Sequence, residues 1–202
     1  MGTVFIDGES VEFDGEAPGT CRAVCELIEN FIAGQGRVIS SVAVDGSELP
    51  IESALEAGSF ASIAFTTSSP QEQLLAMCKT WSADCEERAR DADATATLVL
   101  RSGFQDGQAK VVAFLEKLRP LIEGLGILQN FGSETESVWA SRFEEVFGTS
   151  IAAVDRVVDA VESRDCVALS DRLSDTLATS WRAVREELLG VVIPALDEGG
   201  ET

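Results

Sequence analysis

Over roughly the first 68 residues the apolar positions alternate with polar ones. Beyond residue 70 they recur at helical spacing. Residues 3–13, TVFIDGESVEF, form two strand-like runs split at Asp7 and Gly8. An Asp-Gly pair between apolar alternations predicts a tight hairpin, because both residues tolerate positive φ. Thr20 follows Pro18 and Gly19 as an N-cap. The helix it opens carries Val24, Leu27, Ile28, Phe31 and Ile32 on one stripe, and Gly34 and Gly36 end it. Residues 37–44, RVISSVAV, read as a strand, with Asp45 and Gly46 as a second turn. An irregular stretch leads to a last strand over residues 60–66, FASIAFT.

Ser69, Pro70 and Glu72 have the order of a capping box with proline at the first helical position. Leu74, Cys78, Trp81, Cys85, Ala92, Thr95 and Val99 then follow heptad stepping, with Arg88 as the single break. The spacing predicts one helix to about residue 101, ~48 Å long, closed by Gly103. A second helix, over about 105–130, carries Val111, Phe114, Leu115, Leu118, Ile122 and Leu125, and Pro120 is set to kink it. Gly132 and Ser133 read as a turn, with Ser133 and Glu136 as a second capping box. The third helix carries Val138, Trp139, Phe143, Val146, Phe147, Ile151, Val154, Val158 and Val161, with a bend at Gly148 and Thr149. Ser163, Arg164 and Asp165 form a tight connection. The fourth helix carries Leu169, Leu173, Leu177, Trp181, Val184, Leu188 and Val191, and frays at Pro194.

The predicted fold class is α+β. An N-terminal domain over 1–68 precedes an all-α antiparallel four-helix bundle over 70–196, and 197–202 form a disordered tail. The order strand, strand, helix, strand, connection, strand, with its two Asp-Gly turns, resembles the ubiquitin-like β-grasp fold shared by ubiquitin and the bacterial sulfur carriers. Those relatives end their last strand in a free Gly-Gly tail where the chemistry occurs. Here the strand runs into Thr66, Thr67, Ser68 and Ser69 and the chain continues, so carrier activity is not implied. Gly199 and Gly200 follow a helix and precede Glu201 and Thr202.

Charge narrows the range of partners. Fifteen basic side chains face thirty-five acidic ones, a formal net charge of −20. Residues 1–69 hold 11 acids against 2 bases, and residues 70–202 hold 24 against 13. Such a surface repels phosphate backbones and anionic lipid, and its simplest role is solubility. A partner protein is expected to be basic. The N-terminus shows no signal-peptide pattern, and no apolar stretch approaches a membrane span. Five cysteines without a CxxC pair fit reduced thiols in the cytoplasm.

Histidine and tyrosine are both absent. That removes Ser-His-Asp and Cys-His nucleophiles, His-containing zinc sites and a Tyr general acid. Trp81, Trp139 and Trp181 are each followed by a glutamate pair: Glu86 with Glu87, Glu144 with Glu145, Glu186 with Glu187. At 100° per residue each pair lies about 140° and 240° from its tryptophan, so buried rings turn the glutamates outward. Cys78 and Cys85 share a helix face, as do Cys21 and Cys25, and small apolar packing is their expected role. No catalytic, cofactor-binding or metal-binding set emerges. The expectation is a non-enzymatic interaction or assembly protein that forms a homodimer through its helical part. The alternative is a histidine-free enzyme or metal-binding protein using carboxylates and thiols.

Overall fold

In the computed structural model, which describes residues 2–13, 15 and 18–198, the pairs Asp7–Gly8 and Asp45–Gly46 close hairpins. Asp7 and Gly8 take φ 50° and 87°, Asp45 and Gly46 φ 50° and 81°. Two successive positive φ values match the right-handed twist of paired strands. The first turn joins β1 (Thr3–Ile6) to β2 (Glu9–Ser10), the second β3 (Val38–Val44) to β4 (Ser47–Leu49). The last strand, β5 (Ser62–Ser68), lies between β1 and β3, parallel to the former and antiparallel to the latter. The mixed sheet therefore has the order β2-β1-β5-β3-β4.

The chain divides into two compact units, Met1–Gln73 and Leu74–Thr202. In the first, α1 (Cys21–Ala33) buries Cys21, Val24, Cys25, Ile28 and Ile32 in a core with Val4, Val42, Ile63 and Phe65. Thr20 caps the helix by accepting from the Ala23 N–H. This phase differs from the expected stripe. Leu27 and Phe31 point outward, 44% and 57% exposed. The two cysteines, small and commonly buried, take the inward positions instead. The stretch expected to be irregular is ordered as β4 and α2 (Ile51–Glu56). Both elements are too short for a periodic signal. The Asp45 carboxylate accepts from the backbone of Ala61 and Ser62 at 2.8 and 2.7 Å, which ties the return segment to the hairpin.

A mostly helical part follows. Its first helix, α3 (Pro70–Ser102), opens with the expected capping box: the Ser69 N–H donates to Glu72 at 2.6 Å and the Glu72 N–H to Ser69 Oγ at 3.0 Å. The whole heptad stripe of α3 is buried. Arg88 meets Glu87 at 2.6 Å and Asp91 at 2.8 Å, so the break in the stripe is filled by a paired side chain. Gly103, at φ 79°, ends the helix.

The next helix, α4 (Phe104–Glu134), runs through Pro120 and through the turn expected at Gly132 and Ser133. Gly132 is instead a seat for an aromatic ring: a Cβ there would lie 2.5 Å from the Trp139 indole. The Ser133–Glu136 capping box does not form. Glu136 takes φ 50°, and Thr135 closes the helix by donating its N–H to the Phe131 carbonyl. Val138, expected on the core stripe, is 96% exposed in the loop. The third long helix, α5 (Ala140–Ser163), passes Gly148 as one element. Phe143 lies edge-on to Trp139 and stacks on Phe147, with ring centroids 6.0 and 5.8 Å apart.

After Arg164 in a left-handed conformation, Asp165 caps a run made of α6 (Cys166–Asp171), a π-helical segment (Arg172–Ala178), α7 (Thr179–Glu187), a second π-helical segment (Leu188–Val192) and α8 (Ile193–Glu198). The junctions Arg172, Thr179, Leu188 and Ile193 all keep right-handed helical dihedrals. Pro194 does not fray this run. The Ile193 N–H donates to the Leu188 carbonyl five residues back, and the wider π turn gives the proline ring room. Asp197 and Glu198, expected in a disordered tail, are helical. The rest of that tail, with Gly199 and Gly200, lies outside the described residues.

Trp81, Trp139 and Trp181 are all buried, as their stripes require. Glycine makes two of these burials possible, since a Cβ on Gly124 would lie 2.7 Å from the Trp81 ring. Gly126, two residues on, faces no heavy atom within 4 Å. Gly124→Ala should therefore lower stability by about 2 kcal/mol through overpacking. Gly126→Ala should raise it by about 0.5–1 kcal/mol through helix propensity. Thermal melts that moved both variants in the same direction would contradict this packing.

Candidate functional site

The thiols are the first candidates for chemistry in this chain. All five cysteines are free, and four are buried. Burial pushes the Cys25 thiol up to about 11 and those of Cys78 and Cys85 up to about 12. Burial, and then Asp45, raise Cys21 as well. A thiol held protonated in an apolar interior is a weak nucleophile and a poor metal ligand. Among the described residues, no three His, Cys, Asp or Glu side chains come together to hold a metal ion. No helix among them is long and apolar enough to cross a membrane.

The glutamate pairs split. Glu87, Glu144, Glu145 and Glu186 are exposed, and Glu86 is half-buried beside Arg90 and Arg185. Glu187 departs from the outward expectation at 3% exposure. The reason is the wide buried arc of α7, which contacts two other helices. Arg182 and Arg185 reach Asp93 and Glu86 of α3 at 2.5 and 3.8 Å, while Glu187 takes Arg142 Nε of α5 at 2.8 Å. The other Glu187 oxygen, like Trp181 Nε1, is buried and finds no hydrogen-bond partner among the described residues.

A second polar cluster knits the first unit. Asp7 Oδ1 accepts from the Thr67 N–H at 2.8 Å and Oδ2 from Thr67 Oγ1 at 2.7 Å. Arg37 Nε donates to that same hydroxyl at 2.7 Å, and its guanidinium lies 4.0 Å from Asp7 and 3.7 Å from Glu72. The two Thr67 bonds hold Asp7 below the ordinary carboxylate range, and Arg37 adds to the effect. Sixty residues separate Asp7 from Thr67, so no local pattern could signal the contact. Beside this cluster a cleft of about 480 Å³ is lined by Ile6, Asp7, Glu9, Ser10, Val11, Phe31 and Gln35. Phe31, on the expected core stripe, lies on this cleft instead. The signal against a core position was available in Cys21 and Cys25, whose spacing to Val24, Ile28 and Ile32 completes an inward stripe without Phe31.

No known protein family matches the chain, and comparison with curated proteins and with solved structures returns no match.

Asp7→Asn keeps the left-handed turn and removes the charge. It should cost about 1 kcal/mol, near the low end for charge-assisted bonds because the site is part-exposed. Asp7 has its proton affinity lowered by folding, so its contribution is full above the unfolded aspartate range. It declines as pH falls below about 4. The stability gap between wild type and Asp7→Asn should shrink over that interval; a gap constant from pH 7 to pH 2 would refute the contact. Arg142→Ala strands the buried Glu187 carboxylate and should cost about 3 kcal/mol. Adding Glu187→Leu should recover most of the loss, and a double variant no more stable than Arg142→Ala would show that the pair is not coupled.

Proposed function

We propose that the chain is a non-enzymatic protein-interaction or assembly module. The observation that carries this reading is the outer face of α1. The inward stripe of that helix is complete, yet Leu27 and Phe31 sit one turn apart on the outside, each about half exposed. Large apolar side chains beyond what a core needs are the material of a contact surface. In this reading the first unit is a ubiquitin-like β-grasp domain. Its strand order with a parallel central pair and a helix packed against the sheet support that assignment.

The helical unit is proposed to be an antiparallel four-helix bundle. Contacts of α3 with α4 at Trp81–Gly124 and Val99–Gly107, of α4 with α5 at Gly132–Trp139, of α5 with α7 at Arg142–Glu187, and of α7 with α3 at Arg182–Asp93 close a ring of four. Its broad stripes divide: Val157 and Leu188 are buried, whereas Val158 and Leu189 are exposed. A groove of about 290 Å³ between α3 and α4 is lined by Leu98, Lys110 and Lys117. Self-association through this unit is part of the proposal. Five free thiols fit a reducing, cytoplasmic setting.

The test is capture of a tagged chain from its source cells. Wild type should retain a stoichiometric protein partner, and the exposed-face variant Leu27→Ser/Phe31→Ser should lose it while keeping its melting temperature. Light scattering of the purified chain at low and at about 0.5 M salt identifies a second copy as that partner if the mass rises as repulsion is screened. A bound metal in stoichiometric amount, or a partner retained equally by the variant, would overturn the reading.

A further inference from the structure

The cleft beside Phe31 says what kind of partner the first unit takes. One wall is aromatic: Phe31 stands at the C-terminal part of α1, 57% exposed. The opposite wall is the β1–β2 hairpin, which offers the apolar Ile6 and Val11 and the carboxylates of Asp7 and Glu9. Asp7 is anchored by Thr67, so its carboxylate is a fixed negative charge at the cleft edge. Glu9 makes no ion pair among the described residues and is exposed. Arg37, 4.0 Å from the cleft-lining Asp7, is already engaged with Asp7, Glu72 and Thr67.

We infer that this cleft binds an arginine-bearing basic segment of a partner protein. A guanidinium laid against the Phe31 ring gains the cation–π attraction, and its edge reaches the Glu9 carboxylate. An apolar neighbour in the same segment covers Ile6 and Val11. Charge supports the same occupant at longer range. The first 69 residues hold 11 acids against 2 bases, so the unit's field attracts a basic segment and repels an acidic one. The inference rests on the interaction reading above and supplies the chemistry of the partner.

The full chain is titrated with a short fluorescein-labelled peptide that alternates arginine and leucine, followed by anisotropy. The peptide should bind, and its citrulline analogue, which keeps the shape and loses the charge, should bind about tenfold more weakly. Phe31→Ala and Glu9→Gln should each weaken binding severalfold. Both side chains are exposed, so melting temperatures should be unchanged. Glu144→Gln, an exposed acid on α5, should bind as wild type. Absence of binding overturns the inference. So does equal binding by Phe31→Ala and wild type, or a loss in Glu144→Gln as large as that in Glu9→Gln, which would mark bulk charge alone. If the peptide fails while capture from source cells still depends on Leu27 and Phe31, the basic occupant is wrong and the interaction reading stands.

Discussion

Indole rings resting on glycine backbone set the spacing of the long helices. Trp81 lies over Gly124 and Trp139 over Gly132, each at a distance that a single Cβ would violate. A tryptophan buries more apolar area than any other side chain, but its flat ring needs a flat facing surface. A helix bearing glycine at that point supplies one. Around these seats, thin stretches of α3, with Cys78, Cys85, Ala92 and Ala96, share one continuous buried cluster with Leu118, Leu121, Leu125 and Leu128 of α4. Small residues on one helix admit large ones from the next, as close packing requires.

The first unit is organised around β5. Its flanking strands run in opposite senses, so the parallel pairing with β1 has to span the whole of α1 and β3 in sequence. Thr67, near the end of β5, converts this topology into a polar clasp by binding Asp7 with both its N–H and its hydroxyl while accepting from Arg37. The clasp holds the β1–β2 turn in place, and that turn is one wall of the cleft beside Phe31. Backbone pairing, a part-buried hydrogen-bond network and an exposed aromatic face are thus one chain of cause.

Burial raises the thiols of Cys25, Cys78 and Cys85, and Glu187, the deeply buried carboxylate among the described residues, is tied to Arg142. What faces outward is negative charge interrupted by apolar side chains at Leu27, Phe31, Leu98 and Leu189. In the proposed interaction reading, that surface offers charge steering and apolar contact.

Local physics made much of the architecture legible in the sequence. An Asp-Gly pair between apolar alternations takes positive φ at little cost, so both hairpins could be read from four residues. Ser69, Pro70 and Glu72 satisfy one another's backbone groups, so the start of α3 was legible too. Heptad stepping located the buried face of α3 with Trp81, and the helical stripes anticipated the burial of Trp139 and Trp181. What tertiary structure alone decided was which candidate positions met a neighbour. Leu27 and Phe31 satisfy a helical stripe, but the sheet accepted the stripe with Cys21 and Cys25. Gly132 has the composition of a turn, yet Trp139 used its missing Cβ as a seat. Pro194 has the chemistry of a stop, yet a π turn before it made room. Glu187 has the phase of a surface residue, yet α7 is covered from two sides. In each case the sequence specifies what a residue can do next to its immediate neighbours, whereas burial depends on segments tens of residues away that reach it only when the chain has folded.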